Sequence, residues 1–474
     1  SAHAGDPGDR AGRIGHVSGI MQGHVSPGLA PVTAAPCTCG QRHQVSPAEV
    51  WIAPGALAAS AERLVGSPVV WVLSDDNTER AAAARWKSRA RAGRIVERVL
   101  PGDPRPVPSI ELADELAREV RAVAPDLLVA IGGGVISDLV KKVSLETRVP
   151  SWAVATAPSV DAYRARTAAL RIGGFHQAVP ARPADAIICD LEVLAAAPRP
   201  LILAGLGDLL AKLYARLDWP LAHLVAGEPY CELIADAAAA AARGALEAAA
   251  DLDRDPLTAL AALTRALVVS GCAMQAWGSS RPAASAEHTV AHFWETTTRT
   301  AGAPAGLGDL HGLLVGAASA AILPGYHAFH AGLADTGPAI AARLAAFDAE
   351  PPVAAALAAV TDDALRAQLV GPIARETPGG RIDRRTLEDR LRAFAAAPDR
   401  VAAIAPPLLA EVAGAVSVLA GLGFPFTPEA LGVSLDAWRA PMRWVRLLRR
   451  RYTTFDLAYE LGREPALLTP ILGA

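Results

Sequence analysis

The chain has 474 residues, of which 52% are hydrophobic and 5% aromatic, and its formal net charge is −3. This length allows two or three domains, and the slight negative charge excludes a protein that recruits nucleic acid through a general basic field. The sequence shows no uninterrupted apolar stretch of about 18 residues and no secretory leader, so we expect a soluble, cytoplasmic protein without a membrane partner. Five cysteines, an odd number, agree with a reducing compartment.

Residues 1–36 are rich in glycine, proline and serine and lack a periodic apolar pattern. This composition predicts a disordered arm or a remnant of processing. Signals of folding begin soon afterwards and change in character near residue 198. We therefore predict a nucleotide-binding α/β domain over residues 37–198 and a helical, metal-binding domain over residues 199–474.

Short apolar runs alternate with helical patterns in the first domain. The run 69–73 ends in the polar residues Ser74 to Thr78, which include Asp76 and Asn77. A continuous apolar run of this length is typical of a strand that is covered on both faces. Further strands are predicted at 94–100, 127–131, 152–156 and 186–190. Repeated strand–helix units predict a doubly wound, Rossmann-like parallel sheet.

Three consecutive glycines, Gly132, Gly133 and Gly134, stand between a predicted strand and a predicted helix. Such a turn lets backbone N–H groups and the helix dipole approach a pyrophosphate. The pattern is not GxGxxG, because Ser137 occupies the third glycine position, and a tight turn explains the glycines about as well.

After Pro198 the helical period and alanine take over, which predicts an all-helical second domain. Asp208 lies at the start of an otherwise apolar helix, where the helix dipole alone would favour a carboxylate. The arginines between Arg443 and Arg451 are interpreted as a solvent-exposed face, with one of them as a possible phosphate ligand.

Three of the eleven histidines fall within 24 positions: His288, His292 and His311. The first two share a helix face because they are four residues apart. A lone buried histidine is usually only hydrogen-bonded, but the concentration favours a ligand role. Asp208 together with His288 and His311 makes an Asp/His/His set, which is typical of a catalytic metal site with an open position.

The chain resembles the sn-glycerol-1-phosphate dehydrogenases of the iron-containing alcohol dehydrogenase and dehydroquinate synthase-like superfamily, and within them the bacterial branch associated with arabinose operons. The resemblance covers roughly residues 37–330 and returns at 450–462. The motifs that carry it are CTCGQRH, SDDNT, GGGVISDLVK, VPSWAVATAPSVDAY, AGLGDLLAKLYARLDW, SSRPAASAEHTVAHFWE and LHGLLVG.

The resemblance implies reduction of a phosphorylated ketone, dihydroxyacetone phosphate, with NAD(H) or NADP(H) and one divalent metal. Zinc is expected, with nickel or iron as alternatives, and a homodimer is the expected assembly. The implied metal ligands are Asp208, His288 and His311, and Asp161 and His292 would face the substrate. The residues implied to bind the nicotinamide cofactor are Asp76, Asn77, Gly133, Gly134, Asp138, Thr156 and Ser159.

One position departs from the family pattern. Ala165 replaces a serine that contacts the cofactor, and Arg164 and Arg166 flank it. Either these arginines point to solvent, or one of them turns inward to bind an anionic substrate.

Two other functions stay open. A carbocycle-forming synthase of the dehydroquinate synthase type would use a glutamate as its acidic ligand, whereas this chain has Asp208, with Lys212 four residues later. A non-catalytic nucleotide-binding relative is supported only by Ala165 and its arginines.

Overall fold

The computed structural model describes residues 37–46, 48–172, 175–300, 307–333, 337–347, 357–358, 363–376 and 382–473. The chain divides into two compact units. Unit 1 contains residues 41–205 and 243–279, and unit 2 contains residues 206–242 and 280–474. The predicted arm at 1–36 lies outside the described residues.

Unit 1 is built on a six-stranded, entirely parallel sheet with the strand order β3–β2–β4–β5–β8–β1. Its strands are β1 (Glu49–Ala53), β2 (Val69–Asp75), β3 (Arg94–Leu100), β4 (Leu127–Gly132), β5 (Ser151–Ala155) and β8 (Ala186–Asp190). The predicted parallel sheet with an adjoining helical part is confirmed.

Helices cover both faces of this sheet. They are α1 (Ala56–Glu62), α2 (Asp76–Thr78), α3 (Ala84–Arg89), α4 (Ile110–Val123), α5 (Gly134–Thr147) and α6 (Leu191–Ala195), with a π-helical turn at Glu79–Ala83 between α2 and α3. Alternate residues of β2 enter separate cores: Trp71 packs with residues of α4 and α5, whereas Val70 packs with those of α1 and α3. The continuous apolar run therefore reflects two buried faces.

The strands that follow β2 in the chain lie on opposite sides of it in the sheet. The connection from β2 leads outward to β3, and the chain then returns to place β4 on the other side of β2. The carboxyl ends of such neighbouring strands border the crevice where open α/β sheets bind ligands. Here those ends carry Asp76 and Asn77 after β2 and the triple glycine after β4.

The sequence interpretation missed an antiparallel pair, β6 (Thr167–Ile172) and β7 (Phe175–Pro180). Asp138 on α5 holds it in place, since its Oδ2 accepts a hydrogen bond from the backbone N–H of Ala169 at 2.9 Å. Lys141, one helical turn later, donates to the carbonyl of Thr167 at 2.8 Å. Both contacts come from α5, so the sequence of the short, half-exposed strands β6 and β7 does not reveal them.

Unit 1 also contains a helix that follows much later in the chain, α9 (Pro256–Trp277). Ser270 on this helix donates to Asp161 Oδ2 at 2.7 Å, and Gln275 Nε2 donates to the carbonyl of Arg164 at 2.9 Å. The predicted boundary after residue 198 coincides with the start of α7 (Arg199–Ala226). The compact unit itself reaches beyond that boundary and includes α9.

The remaining part of the described chain is helical. Its helices are α8 (Glu232–Ala249), α10 (Ala286–Thr300), α11 (His311–Ala331), α12 (Gly337–Ala346), α13 (Asp363–Glu376), α14 (Arg384–Ala396), α15 (Pro398–Gly421), α16 (Pro428–Leu431), α17 (Leu435–Arg439), α18 (Val445–Leu448), α19 (Thr454–Glu460) and α20 (Glu464–Leu472). Three helices, α9, α11 and α15, are long and apolar enough to cross a membrane by length and composition alone, although 67% of the apolar window is buried within the protein in α9 and in α11.

Glycines allow α7 and α11 to approach closely in unit 2. A Cβ atom added at Gly207 would overlap the carbonyl oxygen of Gly312 and would lie 2.8 Å from the ring of Phe424. A Cβ at Gly316 would overlap the same ring. Gly207 immediately precedes Asp208 and Gly312 immediately follows His311, so this close approach sets the separation of two predicted metal ligands.

A buried carboxylate joins several elements of unit 2. Asp218 on α7 is fully buried and accepts hydrogen bonds from Ser285 Oγ (2.5 Å), from Tyr326 Oη (2.9 Å), and from the backbone N–H (3.0 Å) and hydroxyl (2.8 Å) of Thr454. A buried charge requires partners of this kind. The network fixes Ser285 directly before α10, the helix that carries His288 and His292.

The arginine-rich segment near the end is not a uniformly exposed face, so that interpretation is wrong in part. Arg446 is buried, with its guanidinium carbon 3.7 Å from the centroid of the Tyr459 ring. Arg451 donates to the carbonyl of Ala284 at 2.5 Å. Arg443 and Arg450 are exposed as predicted.

Candidate metal and nucleotide sites

Unit 2 brings Asp208, His288 and His311 together, and these three residues are called the metal triad below. One ligand atom of each lies within 4.8 Å of the others. Asp208 Oδ1 and His288 Nε2 are 3.7 Å apart. Ligands of a tetrahedral ion with bonds of about 2.0–2.1 Å are about 3.3 Å apart, so these residues fit a divalent metal after a small contraction. Three protein ligands leave an open position on the ion.

Carboxylates and a lysine surround the metal triad. Lys212 Nζ, fully buried, donates to Asp208 Oδ1 at 2.9 Å and so compensates its charge. Glu287 Oε1 lies 3.0 Å from His288 Nδ1 and accepts the backbone N–H of Ser285 at 2.7 Å. Because that oxygen acts as an acceptor, His288 carries its proton on Nδ1 and its lone pair on Nε2, the form that ligates a metal.

His292 lies beside the metal triad, as its position on the helix predicts. Its ring stacks on that of His311 with centroids 5.0 Å apart, and its centroid lies 6.1 Å from that of His288. Glu295, one turn further along α10, contacts the Nδ1 atoms of both His292 and His311 at 2.8 Å. The side chain of His292 is 27% exposed, so solvent or a ligand can reach it.

Burial and neighbouring positive charge keep the imidazoles of His288 and His292 neutral. Burial, followed by the charges of His311 and Lys212, holds the pKa of His288 well below its usual value. Burial and the charge of Arg449 lower the pKa of His292 to about 4. Burial is the main cause that raises the pKa of Glu287 to about 7. A neutral imidazole is the form that ligates a metal.

In unit 1 the triple glycine forms the amino end of α5. Gly133 is the N-cap, and a Cβ atom added there would meet only Ser159 Oγ, at 3.9 Å. Packing within the described protein therefore does not demand a glycine at Gly133, whereas a Cβ at Gly132 would lie 2.7 Å from the Ile136 side chain. The space over Gly133, with Thr156 and Ser159 nearby in the chain after β5, suits a phosphate at a helix amino end.

The polar residues after β2 hold the loop that follows β3. Asp76 Oδ2 accepts the backbone N–H of Gly102 at 3.0 Å, and Asn77 Nδ2 donates to the Gly102 carbonyl at 3.3 Å. Asp75 caps α2 by accepting the N–H groups of Asn77 and Thr78. These hydrogen bonds order the carboxyl end of β2, and the role of Asp76 and Asn77 near a cofactor stays a prediction.

Asp138 and Asp161 both have structural partners. Asp138 is buried, pairs with Lys141 at 2.8 Å and anchors the hairpin of β6 and β7. Asp161, half buried, is tied to Ser270 on α9. Their predicted contacts with cofactor and substrate stay predictions, and any such contact would be made from residues already held in place by the fold.

The structure distinguishes the two arginines around Ala165. Arg166 is exposed, in agreement with a solvent-facing loop. Arg164 is 2% exposed, so solvent exposure is the wrong interpretation for it. Its guanidinium donates to the carbonyl of Ala184 at 2.9 Å and to that of Ser46. These carbonyl contacts indicate that Arg164 supports the loop.

Replacing Arg164 with methionine is expected to lower the free energy of unfolding by about 3 kcal/mol. The change removes charge-assisted hydrogen bonds and takes the arginine donor away from the carbonyl groups of Ala184 and Ser46. Denaturant unfolding of this variant provides the measurement, with Arg166→Met as the control. Because Arg166 is exposed, its replacement should change the free energy of unfolding by no more than about 0.5 kcal/mol. Equal stability of the two variants would contradict the structural role of Arg164.

The sequence interpretation gave three residues no place beside the histidines: Lys212, which it named only for its spacing from Asp208, Glu295, and Arg449, which it grouped with the solvent-exposed arginines. Lys212 follows Asp208 by four positions, and Glu295 follows His292 by three, so helical spacing already placed each pair on one face. Arg449 is far along the chain from α10, and only the packing of α18 against α10 brings its charge near. The first two could have been found from the sequence; Arg449 could not.

Comparisons with known proteins agree with this architecture. The model of the iron-containing alcohol dehydrogenase family matches residues 52–198. Two solved structures share the fold: an iron-containing alcohol dehydrogenase from Thermococcus thioreducens (TM-score 0.54, 17% identity, covering 91% of this chain and 100% of that one) and the maleylacetate reductase from Agrobacterium tumefaciens (TM-score 0.52, 16% identity, 90% and 97%).

Curated relatives are similar in sequence as well. The glycerol-1-phosphate dehydrogenase [NAD(P)+] of Hyperthermus butylicus is 41% identical over 185 residues, which cover 39% of this chain and 53% of that protein. The protein of the same name from Halalkalibacterium halodurans is 30% identical over 302 residues, which cover 60% of this chain and 72% of that protein. The match thus spans about half of the first relative and nearly three quarters of the second. The chain belongs to the iron-containing alcohol dehydrogenase family, in the group that contains the glycerol-1-phosphate dehydrogenases.

Proposed function

We propose that this protein is a metal-dependent, NAD(P)H-linked reductase of a phosphorylated ketone and that it converts dihydroxyacetone phosphate to sn-glycerol 1-phosphate. The observation that carries the proposal is the convergence of Asp208, His288 and His311, whose ligand atoms lie within 4.8 Å of one another. The names of the relatives support the substrate class and the nicotinamide cofactor. We expect a soluble cytoplasmic enzyme that acts as a homodimer.

When bound, a divalent ion would stabilise negative charge on the substrate oxygen, and a reduced nicotinamide would supply the hydride. The protein contributes the neutral imidazoles of His288 and His311 and the carboxylate of Asp208 as ligands. Lys212 holds that carboxylate in place and compensates its charge. His292 would donate the proton that the substrate oxygen takes up when the ketone is reduced, either directly or through a water molecule.

An anionic substrate is favoured by the charge around the metal triad. Arg449 is half-buried, and its charge acts on both His288 and His292. A phosphate group on the substrate would be attracted to this region, whereas an additional cationic group would be repelled.

The cofactor is proposed to bind along the carboxyl ends of β2 and β4 in unit 1. Gly133 and Gly134 at the amino end of α5, with Thr156 and Ser159, would hold the pyrophosphate and the nicotinamide side. Asp76 and Asn77 would lie nearer the adenosine end. Asp138 completes the proposed cofactor set, and Asp161 is proposed to face the substrate.

The direct test adds dihydroxyacetone phosphate and NADH or NADPH to the protein with Zn²⁺ or Ni²⁺ and follows absorbance of the reduced nicotinamide. We expect consumption that depends on the metal and disappears after chelation, because carbonyl polarisation requires the ion. Dihydroxyacetone without its phosphate is the matched control substrate, and it should react much more slowly.

Two other results would contradict the proposal in different ways. Tightly retained NAD without net turnover would indicate a carbocycle-forming synthase. The absence of stoichiometric divalent metal, measured by elemental analysis after incubation with Zn²⁺ and gel filtration, would indicate a non-catalytic relative.

A further inference from the structure

A single buried carboxylate links two histidines of the site in unit 2. The side chain of Glu295 is 7% exposed. Its Oε2 lies 2.8 Å from Nδ1 of His292, and its Oε1 lies 2.8 Å from Nδ1 of His311. His292 and Glu295 share a face of α10, whereas His311 begins α11. Each carboxylate oxygen therefore faces one imidazole, and the two imidazoles come from different helices.

The chemistry of this bridge fixes the proton positions. An ionised carboxylate only accepts hydrogen bonds, so each Nδ1 atom must carry a proton. A neutral imidazole with its proton on Nδ1 has its lone pair on Nε2. For His311 this is the form that can ligate a metal together with Asp208 and His288. For His292 it is the form that can take a proton from a water molecule or pass one on.

The distances also exclude an ion between Glu295 and its two histidines in this arrangement. His292, Glu295 and His311 form a second group whose ligand atoms lie within 4.8 Å of one another. Two ligands of one ion with bonds of about 2.0–2.1 Å cannot be much closer than about 3 Å. Both Glu295 contacts are 2.8 Å, the length of a direct charge-assisted hydrogen bond.

We propose that Glu295 is a positioning residue that holds His311 and His292 in the same tautomer and fixes the orientation of one ring relative to the other. The stacked arrangement of these rings, with centroids 5.0 Å apart and planes 26° apart, is what a shared carboxylate would maintain. The inference rests on the proposed function, because it assumes that His311 ligates a metal. It goes further, because one carboxylate, Glu295, would orient both the metal ligand His311 and the proton-transfer residue His292.

The test compares Glu295→Gln with the wild-type protein in Co²⁺ and Zn²⁺ binding. A glutamine amide can accept from one Nδ1–H, but its NH₂ group must face the other ring, which forces that ring to move its proton to Nε2. We expect about 10–100-fold weaker metal binding in chelator competition and an altered d–d absorption spectrum of the Co²⁺ protein. Glu295→Asp keeps the acceptor on a shorter stem and should recover part of the affinity, which separates positioning from loss of folding.

Glu388→Gln is the matched control, since Glu388 pairs with Arg384 and Arg392 on α14. It should leave metal affinity and the spectrum unchanged. Unchanged affinity and spectrum in Glu295→Gln would overturn the proposal, as would two ions per wild-type chain with one lost in the variant, because Glu295 would then be a ligand. These measurements use no substrate, so a failure to reduce dihydroxyacetone phosphate would refute the proposed function without affecting this result.

Discussion

Replacing His288 with alanine is expected to abolish stoichiometric binding of divalent metal at micromolar concentration and, with it, turnover of the ketone. His288 is the member of the metal triad whose Nε2 lies 3.7 Å from Asp208, and Glu287 fixes its orientation through Nδ1. Loss of a direct ligand should exceed the roughly 10–100-fold loss of affinity that follows removal of an outer partner. Titration with Zn²⁺ in chelator competition gives the affinity, and the nicotinamide assay gives the activity.

His327→Ala is the matched control, because His327 is an exposed histidine on α11. It should bind one ion per chain with wild-type affinity. His288 is a better choice than Asp208 for this experiment. Asp208→Asn would leave the buried ammonium of Lys212 without its carboxylate partner, which can cost about 3–5 kcal/mol of stability and would confuse loss of metal with loss of fold. Wild-type affinity in His288→Ala would refute the metal triad.

Replacing Gly207 with alanine is expected to lower the free energy of unfolding by about 3 kcal/mol or more. The new methyl group would overlap the carbonyl oxygen of Gly312 and would press on the ring of Phe424 at 2.8 Å. Backbone cannot move aside as a flexible side chain can, so α7 must shift away from α11. Because the flanking residues Asp208 and His311 lie on these two helices, metal affinity should fall together with stability.

Gly414→Ala on α15 is the control for the intrinsic effect of adding a methyl group to a helix. A Cβ atom there meets nothing within 4 Å, so this variant should be neutral or more stable by up to about 1 kcal/mol. Thermal or denaturant unfolding of both variants without metal measures the packing effect, and a Zn²⁺ titration measures the effect on the site. A fully stable Gly207→Ala protein would show that the helices are not in contact at this point.

The parts of the fold that the sequence reveals are those set by local repetition. The apolar run of β2 predicts a strand buried on both faces, and that strand packs into two separate cores. The hairpin of β6 and β7 escapes prediction because its stability comes from Asp138 and Lys141 on a different element. Partners that are distant along the chain leave no period in the sequence.

The candidate site likewise contains features that local spacing predicts and features that depend on contacts between distant segments. Helical spacing places His288 and His292 on one face, but the convergence of Asp208 and His311 with them depends on the close packing of α7 and α11 through glycines. Arg164 shows the opposite case. Its charge suggests a surface position or an anion site, yet its guanidinium is buried and donates hydrogen bonds to backbone carbonyls of two separate segments. Residue type alone could not reveal that environment.

The late position of α9 in the chain has a consequence for the order of synthesis. A ribosome releases the strands of unit 1 first, but Ser270 and Gln275 emerge only after α7 and α8 have been made. The contacts of Asp161 with Ser270 and of the Arg164 carbonyl with Gln275 cannot form before then. The ribosome therefore synthesises α7 and α8 before α9 can pack on unit 1. Slow translation before residue 275 would prolong the time for which the surface covered by α9 is exposed.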